Sequence, residues 1–260
     1  MAKLSYPQTI RMSLKPQNRN DPSQNTNFLI ETVKLSRSYE LGSEIVNALQ
    51  NINLQVQSGE FLAIVGRSGS GKTTLLNIMA GLDKPSSGKV LLQGNDITRM
   101  SEKELTDIRR HTIGFIFQSF GLLPLLSAFE NVELPLRISG VTQSEREERT
   151  REALDMVGLL RRAKHRPYEL SGGEQQRVSI ARAIVHKPLL VLADEPTGEL
   201  DSANARSIFG LFKEMVLDQG ISVISATHDS TLLSMANKVQ EIRNGLLQDG
   251  RNEAPRRFQQ

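Results

Sequence analysis

The sequence predicts an α/β protein with a largely parallel sheet and a helical subdomain inserted into it. Short apolar runs that are typical of buried strands alternate with segments of helical spacing along most of the chain. From about residue 119 to residue 170 the strand pattern disappears and helical patterns follow one another. A glycine-rich segment between a strand and a helix is a third feature typical of this fold class.

The composition limits the class of protein. The 260 residues carry 38% hydrophobic side chains, which is enough for the core of one large domain. No apolar run approaches the roughly 20 residues that a membrane-spanning helix needs. The absence of cysteine excludes disulfides and cysteine metal sites. Because the net charge is only +3, aromatic residues make up 5% and there is no Trp, we expect no nucleic-acid partner.

The two ends of the chain are expected to lie outside the fold. Residues 1–27 are rich in Gln, Asn, Ser, Pro and basic side chains and lack the apolar segment of a signal peptide. We therefore expect a disordered leader there, and a flexible tail over residues 251–260. The folded domain is then predicted to span residues 28–250.

Two strand-like runs begin this domain, Phe28–Leu35 and Ile45–Val56. The second run alternates apolar and polar residues, which is typical of a half-buried strand. Between the runs lies the segment 38–42, which contains Tyr39. Its ring could stack on an adenine base or could be a half-buried aromatic at a strand end, and the pattern leaves both open.

The segment from Gly66 to Thr74 has the spacing of a phosphate-binding loop. It follows the buried run Phe61–Val65 and precedes a helix that we expect to begin near Lys72. Glycines let backbone N–H groups converge on one anion, and the helix N-terminus adds its positive end. We therefore predict nucleotide phosphate binding, with Lys72 on the terminal phosphates and Thr73 on Mg²⁺. The predicted nucleotide-binding residues of this loop are Gly66, Arg67, Ser68, Gly69, Ser70, Gly71, Lys72, Thr73 and Thr74.

The next segment continues the alternation. Lys89–Leu92 is predicted to be a short strand, and Ser101 to begin a helix with Glu104 in the capping-box position. Ile113–Phe117 is predicted to be another buried strand. Gln118 follows it, at the strand end where α/β sheets place groups that contact ligands.

The inserted subdomain is predicted over about residues 119–185, with helices at about 128–138 and 143–157. An apolar set in its first part could face a partner protein or could pack the small core of the subdomain itself, and both interpretations stay open. This set comprises Phe120, Leu122, Leu123, Leu125, Leu126 and Phe129.

Two carboxylates follow the buried run Leu189–Ala193, namely Asp194 and Glu195. Carboxylates at the end of a buried strand are costly unless a positive group pairs with them. Beside a phosphate loop, nucleotide-bound Mg²⁺ is the natural partner of Asp194. Glu195 is then free to polarise the water that attacks the γ-phosphate.

Two further features belong to the candidate site. His228 follows the strand-like run Ile221–Ser225 and should emerge along the same sheet edge, where it is predicted to contact the γ-phosphate. A helix is predicted between these strands, at about residues 202–219. Ser171-Gly172-Gly173 lies at a helix N-terminus, where it could receive a second anion or simply cap the helix.

At these residues the chain resembles the ATP-binding subunit of an ABC transporter. The resemblance covers about residues 28–250 and follows the order of the family's motifs. These are the Walker A loop at Gly66–Thr74, the Q-loop at Gln118, the signature at Leu170–Gln175, the Walker B strand at Leu189–Asp194, the D-loop through Asp201 and the switch His228. The resemblance implies a P-loop NTPase (RecA-like) core with an N-terminal antiparallel β subdomain and the inserted helical subdomain.

The resemblance also implies roles for residues. Those implied to be catalytic are Glu195, His228 and Lys72, and those implied to bind the metal are Thr73, Gln118 and Asp194. Tyr39 matches the aromatic residue that stacks on adenine, and Gln118 also belongs to the nucleotide site. Ser171, Gly172, Gly173 and Glu174 are implied to complete the ATP site of a second copy. Glu174 stands where many family members have Gln. Glu199 occupies a D-loop position often held by Asn, which puts fine communication between the two sites in doubt.

A finer resemblance is to the subfamily of lipoprotein-release, macrolide-export and cell-division ATPases. It rests on the segments 74–83, 118–124 and 130–136. It implies a homodimer around two Mg-ATP on the cytoplasmic face of the bacterial plasma (inner) membrane. The implied partner is a permease with a large external domain, with a periplasmic adaptor as a further candidate, and the motion serves export or mechanotransmission.

Other functions are the alternatives. An ABC-type ATPase could regulate cell-envelope processes without transporting a substrate, and a nucleotide-binding regulator would lack turnover. ATPases of DNA repair or chromosomes need long coiled-coil insertions or zinc motifs, and this chain has neither.

Overall fold

A computed structural model describes residues 28–228 and 233–248, so the predicted leader at 1–27 and tail at 251–260 lie outside the described residues. The strands are β1 (Phe28–Leu41), β2 (Glu44–Gln57), β3 (Phe61–Val65), β4 (Ser87–Leu92), β5 (Asn95–Asp96), β6 (Ile113–Ile116), β7 (Leu190–Asp194), β8 (Ser222–Thr227), β9 (Lys238–Arg243) and β10 (Leu246–Leu247). The helices are α1 (Lys72–Met79), α2 (Glu102–His111), α3 (Ala128–Ile138), α4 (Gln143–Met156), α5 (Gly172–Ile184) and α6 (Ser202–Gln219).

The first sheet is antiparallel, in the order β2-β1-β4-β5. Its apolar side chains Ile52, Leu54 and Val56 are buried, which confirms the alternation predicted for β2. The segment between the two strand-like runs is itself partly strand, because Ser38–Leu41 continues β1 and pairs with residues 44–47. The hairpin reverses at Gly42, whose φ of 64° suits a glycine.

The second sheet supplies the site. Within the described residues its order is β10-β9-β3-β8-β7-β6, and the strands from β9 to β6 are parallel. Val65 pairs with Thr227, Asp194 with Ala226, and Ile116 with Ala193. The carboxyl ends of β3, β8, β7 and β6 therefore lie at one sheet edge, as the predicted fold requires.

Two apolar runs extend one residue beyond their strands. Pairing of β6 with β7 begins at Ile113 with Leu190 and ends at Ile116 with Ala193. Phe117 and Leu189 were expected in buried strands, but each lies outside this ladder and is 43% exposed. Apolar character alone did not mark where backbone pairing stops.

The helical subdomain follows β6 and leads back to β7 through α3, α4 and α5. Capping boxes begin α2 at Ser101 with Glu104, as predicted, and α3 at Ser127 with Glu130. The buried Asn131 accepts a hydrogen bond from the Leu123 N–H and donates to three carbonyl groups of the segment 123–127. This segment is therefore held against the start of α3.

Some residues of the apolar set of this subdomain pack in its core, and others are exposed where a partner protein could contact them. Leu122 and Phe129 pack against the buried core, whereas Leu123 is 44% exposed and Leu125 is 80% exposed. Across the part of the chain that the structure describes, no helix has the length and apolar character needed to cross a membrane.

Candidate active site

The loop from Gly66 to Gly71 packs against two strands. At its first and last residues there is no room for a side chain. A Cβ at Gly71, where φ is 109°, would lie 2.3 Å from the carbonyl oxygen of Ala48 in β2. A Cβ at Gly66 would lie 2.4 Å from the carbonyl oxygen of Ile242 in β9. Helix α1 begins directly after the loop, so its first N–H groups have no partner within the helix. This arrangement is suited to binding an anion.

Lys72 is a buried cation at this loop, with 4% of its side chain exposed. Its Nζ donates to the carbonyl oxygens of Gly66 at 2.9 Å and Arg67 at 3.2 Å. The same Nζ lies 3.3 Å from Oε1 of Glu195. The ammonium group thus joins the loop after β3 to the residue after β7.

Glu195 lies between two candidate catalytic groups. Besides Lys72, it contacts His228, whose Nδ1 is 3.2 Å from Oε2 of the carboxylate. Its φ of 43° is in the left-handed region, which non-glycine residues adopt only at a cost of about 1 kcal/mol or more. The N–H of Glu195 donates to the Ala226 carbonyl at 2.9 Å, which holds this conformation. Such strain is typical of functional sites.

Asp194 is buried, with 7% exposed, and its Oδ1 has no hydrogen-bond partner within the described residues. Burial raises the pKa of this carboxyl, and a hydrogen bond with the Thr73 side chain opposes the rise. A buried carboxylate oxygen without a donor fits a cation next to the phosphates. Asp194 and Thr73 are therefore placed as a divalent metal site requires.

Gln118 reaches the same edge from β6. A Cβ at Gly198 would lie 3.8 Å from Nε2 of Gln118 and 3.7 Å from Oε2 of Glu195. Both side chains are therefore next to Gly198. Residues after β3, β6, β7 and β8 thus converge at one place. The structure brings together Lys72, Thr73, Gln118, Asp194, Glu195 and His228.

Tyr39 lies in β1 opposite Val46. It is half-buried, as one of the two interpretations expected, and its Oη donates to Asp83 at 2.7 Å. The guanidinium of Arg37 lies 4.4 Å from the ring centroid. Arg37 and Asp83 were not among the predicted site residues. Residues two apart on a strand share a face, so the Arg37–Tyr39 spacing was a usable signal once β1 was known to continue.

The signature residues lie elsewhere. Ser171 is the N-cap of α5, and its N–H and Oγ donate to Oε2 of Glu174 at 2.9 Å and 3.0 Å. The Ser171 N–H holds the pKa of the Glu174 carboxyl below its usual range. No hydrogen bond or ion pair between described residues joins the signature to the phosphate loop.

The signature adjoins the D-loop. A Cβ at Gly172 would lie 3.7 Å from Leu200, and one at Gly173 would lie 2.6 Å from Oδ1 of Asn204. Asp201 is the N-cap of α6 and accepts hydrogen bonds from the N–H groups of residues 203 and 204, each at 2.9 Å. Gly172, Gly173 and Asp201 therefore lie close together.

Arg182 of α5 is a further residue that the sequence pattern did not reveal. Its Nη1 donates to the Gly121 carbonyl at 2.7 Å and its Nη2 to the Phe120 carbonyl at 3.1 Å. Phe120 has a left-handed φ of 57°. The arginine thus holds the segment after Gln118 against the helix that begins at the signature. Arg182 follows Gly121 by 61 residues and Phe120 by 62 residues, so no local sequence pattern could reveal these contacts.

Comparison with known proteins assigns the chain to a family. A family profile described as ABC transporter matches residues 49–198. An uncharacterized ABC transporter ATP-binding protein of Thermotoga maritima is 44% identical over 220 residues, 85% of this chain and 94% of the relative. The lipoprotein-releasing system ATP-binding protein LolD of Shewanella sp. is 46% identical over 220 residues, 85% of this chain and 95% of the relative.

Solved structures share the fold. The ATP-binding cassette MJ0796, from Methanocaldococcus jannaschii, is described as a dimer in a post-hydrolysis state bound to ADP and Pi. It matches with a TM-score of 0.78 at 43% identity, over 83% of this chain and 95% of that chain. The chain therefore belongs to the ABC transporter family, as one of its ATP-binding proteins, and is an ATPase of the P-loop α/β fold.

Proposed function

We propose that two copies of this chain close around two Mg-ATP and drive a conformational change in a membrane permease. In this proposal residues 28–250 form the ATPase domain, and about 119–185 its helical subdomain. The observation that carries the proposal is the contact of Glu195 with Lys72 at 3.3 Å and His228 at 3.2 Å. A base, a cation and a histidine at one sheet edge are the groups that ATP hydrolysis requires.

Lys72 and the loop amides would bind the phosphates. Because Lys72 is buried, it needs an anionic partner at all times, and Glu195 is that partner in this structure. A γ-phosphate would offer Lys72 a second anion, so the carboxylate of Glu195 becomes free to accept a proton from water. Gln118 and His228 would then contact the γ-phosphate, and Tyr39 would stack on the adenine.

The residues around Asp194 fit Mg²⁺. The unpartnered Oδ1 of Asp194 and the hydroxyl of Thr73 would hold the ion, and Gln118 would contribute from β6. When bound, Mg²⁺ offsets negative charge that develops on the phosphates. The protein's own contribution is to hold the Asp194 carboxyl in a fixed, buried position beside Thr73.

A second copy would complete each site. Ser171, Gly172 and Gly173 form a helix N-terminus suited to a phosphate, with Glu174 and Asp201 beside it. In one chain this corner contacts the D-loop and Phe120 rather than the phosphate loop. The dimers described for MJ0796 support an assembly of two copies.

The permease would dock on the helical subdomain. Exposed apolar side chains occur there on two segments, and the hydrogen bond from the Ala128 N–H to the His165 carbonyl at 2.7 Å brings these segments together. The side chains are Leu123, Leu125 and Tyr168. An apolar surface of this kind is typical of a binding site for another protein. The resemblance further supports a permease with a large external domain at the cytoplasmic face of the bacterial plasma membrane, a periplasmic adaptor as a further candidate partner, and export or mechanotransmission as the role.

The experiment is a steady-state ATPase assay of the wild-type chain and of Glu195→Gln, with and without Mg²⁺. We expect Mg²⁺-dependent phosphate release by the wild type and a loss of about 100-fold or more in the variant, because the base is removed. ATP binding should persist, since the phosphate loop is intact. Turnover of Glu195→Gln at the wild-type rate would exclude the role given to Glu195.

A further inference from the structure

Arg37, Tyr39 and Asp83 form a closed cluster, which we call the Tyr39 clamp. The Arg37 guanidinium covers one face of the Tyr39 ring, 4.4 Å from its centroid. Its Nε and Nη2 donate to the two oxygens of Asp83 at 3.1 Å and 2.8 Å. The Tyr39 hydroxyl donates to the same carboxylate at 2.7 Å. The ring is therefore held both at its face and at its tip.

Asp83 has no acceptor capacity to spare. In addition to Arg37 and Tyr39, it accepts a hydrogen bond from the Lys84 N–H at 2.7 Å. Its backbone is bonded to the last turn of α1, because the N–H groups of Leu82 and Asp83 donate to the Asn77 carbonyl at 2.8 Å and 3.3 Å. The carboxylate that holds Tyr39 is thus attached to the helix that begins with Lys72 and Thr73.

We propose that Arg37 and Asp83 are positioning residues for adenine, because they fix the Tyr39 ring relative to α1 and leave the face opposite Arg37 for the base. This inference rests on the proposed role of Tyr39. Helix α1 has 8 residues, so its two ends are only about 12 Å apart. One short helix therefore sets the position of the phosphates at its start and of the adenine-stacking ring at its end.

The clamp has a physical reason to matter for binding. A free tyrosine ring rotates about two torsions, and binding a base to it would cost the entropy of ordering the ring. Arg37 and Asp83 hold the ring through contacts within the protein, so less of this entropy is lost on binding. The guanidinium also leaves only one face of the ring for stacking, so the base has a single docking position.

A purely structural role accounts poorly for the clamp. The side chains of Arg37 and Asp83 are 24% and 25% exposed, and ion pairs open to solvent contribute little to the stability of a fold. Arg146 and Glu133 form a comparable pair at 2.9 Å in the helical subdomain, with side chains 20% and 13% exposed. This second pair has no aromatic ring between its partners and provides a matched control.

The test measures binding of ATP and of inorganic tripolyphosphate to the full chain by isothermal titration calorimetry. We expect Arg37→Gln and Asp83→Asn to weaken ATP binding about threefold to tenfold, a part of what base stacking contributes. Tripolyphosphate has no base, so its affinity should not change. The control Arg146→Gln should leave the affinities for both ligands unchanged, and thermal melting verifies that each variant is folded.

A double variant separates positioning from direct contact. In a Tyr39→Ala background, Arg37→Gln should cause no further loss of ATP affinity, because there is no ring left to position. Wild-type ATP affinity in both Arg37→Gln and Asp83→Asn, an equal loss of tripolyphosphate binding, or an additive loss in the double variant would each overturn the clamp. Unchanged ATP affinity in Tyr39→Ala would instead refute the proposed role of Tyr39 itself.

Discussion

The two glycines at the ends of the phosphate loop are required for different contacts, and Gly71 is the more constrained. Its φ of 109° is outside the region that other residues adopt, and a Cβ would lie 2.3 Å from the Ala48 carbonyl oxygen. Gly140, by contrast, has a left-handed φ of 73° but no atom within 4 Å of the Cβ position. A side chain at Gly140 would therefore add backbone strain alone, whereas a side chain at Gly71 would add both strain and a steric clash.

We expect Gly140→Ala to cost about 1 kcal/mol of unfolding free energy, which is the left-handed penalty alone. Gly71→Ala should cost at least about 2 kcal/mol more, because the loop must also move away from β2. It should also abolish nucleotide binding. Urea denaturation of both variants measures the difference, and equal losses would show that the loop is not pressed against Ala48.

The chemistry of the sheet edge was predictable from sequence because each residue follows an apolar strand, either directly or, for Lys72, after the phosphate loop. Lys72, Asp194, Glu195 and His228 were all expected at one edge, and the structure places them there. Their pairing was not predictable. The contact between Lys72 and Glu195 joins residues far apart in the chain, and only the strand order brings them within 3.3 Å.

Helix α5 connects the signature to the segment after Gln118. Arg182 projects from this helix and donates to the carbonyls of Phe120 and Gly121. Burial lowers the pKa of its guanidinium. The two carbonyl groups accept hydrogen bonds from the buried charge and so stabilise it. The Phe120 ring lies 3.8 Å from the Cβ position of Gly172. Displacement of this segment would therefore change the packing of Phe120 against Gly172 of the signature.

We expect Arg182→Gln to lower the unfolding free energy by about 2 kcal/mol, because two carbonyls lose a charged donor. The exposed Arg110 of α2 provides the control, and Arg110→Gln should change stability by less than about 0.5 kcal/mol. Urea denaturation followed by circular dichroism measures both. Equal stability of the two variants would mean that the segment 120–121 is held by other contacts.

Helices and strands differed in how well sequence revealed them. The helices 128–138 and 202–219 have the predicted bounds, because caps and apolar spacing are local signals. Strand β9, Lys238–Arg243, was not predicted, since only Val239 and Ile242 are apolar in it. The segment 38–41 was also missed, because its pairing with β2 and not its composition makes it a strand.

The arrangement of the complete chain explains why one copy is insufficient for the proposed cycle. The phosphate loop and the catalytic groups lie at the edge of the parallel sheet. The signature corner at Ser171 adjoins the D-loop and forms no hydrogen bond or ion pair with that edge among the described residues. An ATP bound to the loop is thus surrounded on one side only, and a second chain would supply the other side.

The most direct test of this account is the mass of Glu195→Gln in solution, measured by light scattering during size-exclusion chromatography. With Mg-ATP we predict twice the 28.9 kDa of one chain, because ATP that is not hydrolysed keeps the two copies joined. With Mg-ADP, or after the added substitution Ser171→Arg, we predict the mass of one chain. If Glu195→Gln binds ATP and still elutes with the mass of one chain, the two-copy site is contradicted.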